Sequence, residues 1–292
     1  MARRLFCAFG VILLLSGILS SVHAAQEIDS SGKYFGFFQG SGRWGLMEFV
    51  IEKVRNHRFQ GSAAMIVGPD KIRVPFVIEG TVSQSGELTG LGRGPAGIAE
   101  FHGQITFFDG GAAIADATYR LTSPPPEPDL GTRPAGLADR GTATLLRNFI
   151  VGPDAPPPSV AGLWTGMSTS AVDKSTSTFT LDVRQECVTS SQEPTPGTGF
   201  SGHEVIDIES KNPLEFDFLG SVSSDARFAV IGWDLTNDRF IVTGTYYPPD
   251  PGKGATAAAQ YTLIFGNGFT DRGTFSMAQQ PPPEPDCPAP VR

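Results

Sequence analysis

Asp139-Arg140-Gly141-Thr142-Ala143-Thr144-Leu145, near the middle of the chain, is answered near its end by Asp271-Arg272-Gly273-Thr274-Phe275-Ser276-Met277. Each stretch reads as a polar Asp-Arg-Gly corner running into a half-buried strand with apolar residues at alternate positions. Upstream of both, the same landmarks recur in the same order. Gly80-Thr81-Val82-Ser83 matches Gly220-Ser221-Val222-Ser223, and the alternating run Phe101, Gly103, Ile105, Phe107 matches Phe240, Val242, Gly244, Tyr246. Ala117, Tyr119 and Leu121 match Ala259, Tyr261 and Leu263. The spacing drifts by a few residues from pair to pair, as loop insertions produce. These landmarks make the chain an internal duplication, with a first repeat over 30–150 and a second over 160–279.

The chain of 292 residues has the length for two such domains, and 40% apolar residues suffice for two packed cores. Gly (35), Pro (24) and Phe (21) are abundant, and few segments combine helix formers with a helical apolar period. Short strands joined by Gly/Pro turns are the expectation. The net charge of -8 and the presence of only six lysines argue against nucleic acid and against anionic membrane surfaces as partners.

Residues 1–24 read as a secretory signal peptide: Arg3 and Arg4, an apolar run from Phe9 to Leu19, and a small-residue cleavage site at Val22-His23-Ala24. Export to the periplasm or the extracellular space follows. An uncleaved anchor and a twin-arginine signal are the alternatives. No later segment is apolar for long enough to be a transmembrane helix. An outer-membrane barrel is a rival that the Pro-rich segments and the Ala-Pro-Val-Arg terminus disfavour. Residues 151–159 read as a stiff proline-rich linker with little capacity to pack, and 280–292 as a proline-rich tail. The hexapeptide Pro-Pro-Pro-Glu-Pro-Asp occurs at both 124–129 and 281–286.

Each repeat offers seven or eight antiparallel strands in order. The fold class is therefore all-β: two tandem antiparallel up-and-down barrels, closure being the simplest way to remove sheet edges. Two β-sandwiches are the alternative. Gly162-Leu163-Trp164 at a first strand, and Arg272 at a last strand, resemble the signature of the calycin superfamily, the lipocalin and avidin barrels. That resemblance implies a barrel floor in which Arg272 covers Trp164. In the first repeat it implies the same of Arg140 over Tyr34, where Tyr departs from the family's Trp.

Chemistry is sparse. His57, His102 and His203 form no metal-ligand spacing, and no CxxC or HExxH occurs, so no metal and no cofactor is expected. His203-Glu204 with Asp207 and Glu209 is the densest ligand-type cluster and reads as a solvated loop. Gly92-Arg93-Gly94-Pro95-Ala96-Gly97 fits GxGxxG as a string, but Pro95 and a following strand make it a glycine-rich turn. Cys187 and Cys287 form one disulfide in an oxidising compartment, with free thiols or an intermolecular bridge as alternatives. No catalytic residue is expected. The inward faces carry Phe101, Ile105, Phe107 and Tyr119 in the first repeat, and Phe240, Val242, Tyr246 and Tyr261 in the second. They line a site for a small apolar ligand, or they simply fill the core. The expected function is a non-enzymatic binding protein; the alternative is an envelope module that meets a protein partner through outer faces and proline segments.

Overall fold

A computed structural model of the chain describes residues 29–41, 43–67, 71–109, 111–122, 138–149, 157–189, 194–207, 213–234, 236, 238–249 and 254–280. The expected signal peptide, both proline hexapeptides and Cys287 lie outside these residues. Among the described residues, sixteen strands account for the fold. The first eight are β1 (Gly32–Gly40), β2 (Trp44–Arg55), β3 (Arg58–Val67), β4 (Ile72–Val82), β5 (Glu87–Gly94), β6 (Gly97–Phe107), β7 (Ala113–Thr122) and β8 (Asp139–Arg147). The second eight are β9 (Gly162–Ser170), β10 (Thr176–Thr189), β11 (Pro194–Asp207), β12 (Leu214–Val222), β13 (Arg227–Trp233), β14 (Arg239–Tyr247), β15 (Thr256–Ile264) and β16 (Thr270–Gln279).

Within each set of eight, every strand pairs antiparallel with the next. β8 closes onto β1, and β16 closes onto β9. The molecule is two closed eight-stranded barrels in tandem. Closure leaves no edge strand in either sheet, which is the physical advantage over a sandwich. Tight hairpins follow from local chemistry. Asn56 and His57, joining β2 to β3, both hold positive φ (50° and 64°), as a two-residue primed turn requires. Pro95 and Ala96 make the turn between β5 and β6, so the GxGxxG string is indeed a hairpin.

Alternation sorts the side chains. Along β6, Phe101 and Ile105 belong to the first core, while Glu100, His102 and Gln104 are exposed. Along β10, Phe179, Leu181 and Val183 are buried between Thr178, Thr180, Asp182 and Arg184, all exposed. Apolar-in and polar-out is the pattern of a water-exposed barrel, and the reverse of a barrel facing lipid.

The barrels also pack against each other. β13 is buried along almost its whole length: Phe228 and Val230 face its own barrel, while Ala229 and Ile231 join Phe37, Ile114, Leu146 and Phe149 of the first barrel in a third core. Phe37 stacks on Trp233 at 4.6 Å between ring centroids, with 24° between the planes. The Phe149 N–H donates to Ser221 Oγ at 2.9 Å. Arg227 pairs with Asp109 at 3.1 Å, and Arg239 approaches Asp116 at 3.6 Å, both across the seam.

The end of the linker packs, contrary to expectation. Pro157 is buried, and the carbonyls of Pro158, Ser159 and Val160 accept hydrogen bonds from Gln185, Tyr246 and Trp164. An extended segment has free carbonyls, and side chains at the bottom of the second barrel satisfy them.

Candidate functional site

Each barrel has a floor, where its first strand begins and its last strand ends, and a mouth at the other end. The two floors share one construction. Tyr34 donates from Oη to the Ser30 carbonyl at 3.0 Å, and Trp164 donates from Nε1 to the Val160 carbonyl at 2.9 Å. Both side chains are essentially fully buried, and burial pushes the Tyr34 hydroxyl up to about 12. Tyr34 and Trp164 thus occupy matched places.

Their covers are not the arginines the sequence suggested. Arg140 and Arg272 are exposed and point outward at the mouth end. Alternation is the reason. Asp139 and Asp271 face inward to meet Tyr119 and Tyr261, so the next residue in each strand must face out. Arg147, eight positions beyond Asp139 on the same face, closes the first floor. Its guanidinium lies 5.5 Å from the Tyr34 ring centre and 5.8 Å from that of Phe107. It donates to the carbonyls of Gly111 (2.9 Å), Asp29 (2.8 Å) and Ser31. In the second barrel the matched position is Gln279, whose amide donates to the Ala161 carbonyl at 2.6 Å.

The repeated Asp works at the mouth. Tyr119 donates to Asp139 Oδ2 at 2.9 Å and Tyr261 to Asp271 Oδ2 at 2.8 Å. The free oxygen of Asp139 takes Ser41, and that of Asp271 takes Ser170 Oγ at 2.7 Å. Burial, reinforced by the neighbouring carboxylate, holds both tyrosine hydroxyls well above their ordinary range.

Between floor and mouth the barrels differ. The first encloses only about 50 Å³, lined by residues that include Phe101 and Tyr119. Ile105 is packed in the core, and Phe107 belongs to the floor beneath Arg147. The second holds a cavity of about 240 Å³ that reaches the mouth. Phe240, Val242 and Tyr261 line it, whereas Tyr246 sits on the floor against Trp164, with ring centroids 6.1 Å apart.

The register explains the difference. Phe38 in β1 and Ser168 in β9 stand four residues beyond Tyr34 and Trp164 and face inward. Phe38 is buried and packs edge-on to Tyr119, whereas Ser168 leaves that space empty and lines the cavity. Phe49, paired with Tyr34, corresponds to Leu181, paired with Trp164. Ala63, between Phe49 and Phe76, corresponds to Glu204, between Leu181 and Phe216.

Glu204 is the residue that sequence reading missed. The expected solvated loop is strand β11. His203 faces solvent beside Asp217 (3.2 Å), Asp207 is exposed, and Glu209 lies outside the described residues. Glu204 faces inward and lines the cavity. It is half-buried in the cavity wall, and removal from bulk water raises its carboxyl to about 8. Among the described residues nothing donates to it or pairs with it. Counting alternation through β11 is the signal that could have found it, had the strand been recognised.

Cys187 is disulfide-bonded. Its expected partner, Cys287, is outside the described residues.

No protein-family model matches the chain, and no curated protein matches it. Among solved structures, it is similar to a protein of unknown function from the DUF3598 family of Nostoc punctiforme. The identity is 10%, the match covers 86% of this chain and 96% of that one, and the TM-score is 0.26.

Proposed function

We propose that this is an exported, non-enzymatic binding protein that carries one small, mostly apolar ligand in its second barrel. The observation that carries the reading is the contrast between two matched barrels. One is filled by Phe38; the other, with Ser168 in its place, keeps a cavity of about 240 Å³ open to the mouth. Filling costs nothing that the first barrel does not already tolerate, so the open space is a property of the second barrel alone. Its walls combine aromatic and aliphatic side chains with a few polar groups, the usual make-up of a ligand pocket, at a volume suited to something smaller than a drug-sized molecule. The paired polar groups, Asp271 with Tyr261 and Ser170, tie the mouth together and fix its shape. The floor of the first barrel, with Arg147 over Tyr34, supports a calycin-like reading of the fold. The signal-like segment at 1–24 supports delivery to the periplasm or the extracellular space.

Native mass spectrometry of mature protein from its own cell envelope is the test. We expect a mass increment that disappears on denaturation in the wild type, and none in Ser168→Phe, which restores the filled core of the first barrel. A bare chain mass in both proteins would move the assignment to an envelope module acting through its outer faces.

A further inference from the structure

Within that binding reading, the cavity says what chemistry the ligand carries. Glu204 reaches it from the middle of β11, flanked across the sheet by Leu181 and Phe216, neither of which can hydrogen-bond through its side chain. The other inward-facing carboxylate, Asp271, is already satisfied by Tyr261 and Ser170, and Asp173 at the rim is held by Ser175. Glu204 alone is left without a protein partner among the described residues. A carboxyl held half out of water in a largely apolar cavity, with no protein partner, gains from a ligand group that pairs with it.

The lining shows what would. Among the described residues six aromatic rings border the cavity: Phe179, Phe240, Tyr261, Phe265, Phe269 and Phe275. Aromatic faces attract cations and repel anions. Among the described residues no Lys, Arg or His lines the cavity; such a group would neutralise Glu204 from within or recruit an anion. Phe265 and Phe269 stand at the tip of the β15–β16 hairpin, and Phe269 is 53% exposed, so an apolar surface also borders the entrance. We propose that Glu204 is the anchor for a protonated amine on a small, otherwise apolar ligand, with the aromatic wall holding the ligand's body. The ion pair forms when the cavity carboxyl passes its proton to a neutral amine, or releases it to solvent as an ammonium enters. The first barrel has Ala63 at the matched position and has no such anchor.

The probes are 2-phenylethylamine and its neutral counterpart of the same shape, 2-phenylethanol, titrated calorimetrically into the full mature chain at neutral pH. The wild type is expected to bind the amine at least tenfold more tightly than the alcohol. Glu204→Gln keeps the volume and a polar group, and is expected to bring the two affinities together. Glu204→Leu, which removes the carboxyl from the cavity and should fold at least as well, is expected to do the same. Equal binding of both probes by the wild type, or a preference for the amine that survives in Glu204→Gln, overturns the anchor. If Ser168→Phe then abolishes binding of the alcohol, the cavity remains a binding site. If neither probe binds the wild type, the anchor and the cavity reading fall together.

Discussion

At the scale of single residues, the two barrels differ by a handful of side chains at matched inward positions: Phe38 against Ser168, Phe49 against Leu181, Ala63 against Glu204. The first two empty a core, and the third puts an ionisable group into the space. Glu204 also makes stability depend on pH. Its carboxyl is raised from 4.5 to about 8 by burial, with Leu181 and Phe216 beside it and Asp271 and Tyr261 lining the same cavity. Between those two values the unfolded chain gives up a proton that the folded chain keeps. The favourable neutral carboxyl therefore contributes fully below the lower value and is lost as pH rises through the upper one. The slope is at most about 1.4 kcal/mol per pH unit for one group. Urea unfolding at pH 5 and pH 8 should show the wild type losing more stability than Glu204→Gln. Equal losses in the two proteins would mean that Glu204 is ionised in the fold.

At the scale of the strand, the abundance of Phe and of Gly is one fact. Aromatic rings lie across glycines on the neighbouring strand in register: Phe200 over Gly220, Phe240 over Gly232, Phe101 over Gly90, Phe179 over Gly166. A Cβ at Gly220 would meet the Phe200 ring at 2.1 Å, and one at Gly232 would meet Phe240 at 2.2 Å. The ring covers the gap left by glycine, and the glycine lets the barrel wall curve. The Gly of the repeated corner serves the same end, since Gly273 pairs with Tyr261 and lets that ring lie flat on its way to Asp271. Gly220→Ala is expected to lower stability by about 1–3 kcal/mol through overpacking. Gly92→Ala, where the nearest atom is 3.4 Å away, should stay within about 0.5 kcal/mol. The unfolding midpoints of the two variants check the contrast, and equal shifts would show that the rings yield freely.

At the scale of the whole molecule, two barrels joined by a proline-rich linker share an apolar seam because β13 is apolar on both faces, and are expected to unfold together. Phe37 and Trp233 stack at the centre of the seam, with Ile114, Leu146 and Ile231 around them. Trp233→Ala is expected to remove on the order of 2–3 kcal/mol of coupling. Scanning calorimetry should then resolve two transitions where the wild type shows one. A single unchanged transition in the variant would place the coupling elsewhere.

The sequence by itself determined the duplication, the all-β class, the inward face of most strands and the matched places of Tyr34 and Trp164. The class and the inward faces rest on local periodicity, which a strand writes into the chain as strict alternation; the duplication rests on recurring landmarks, and the match of Tyr34 with Trp164 on the calycin resemblance. It could not show which arginine closes a floor, because Arg140 and Arg147 differ only in which face and which end of one strand they occupy, and that depends on strand length and register. It could not separate a filled barrel from an open one, because cavity volume is set by side chains from several strands at once. The seam between the barrels and the position of Glu204 were decided by tertiary structure for the same reason. A residue's face is a local property, but what stands opposite it is not.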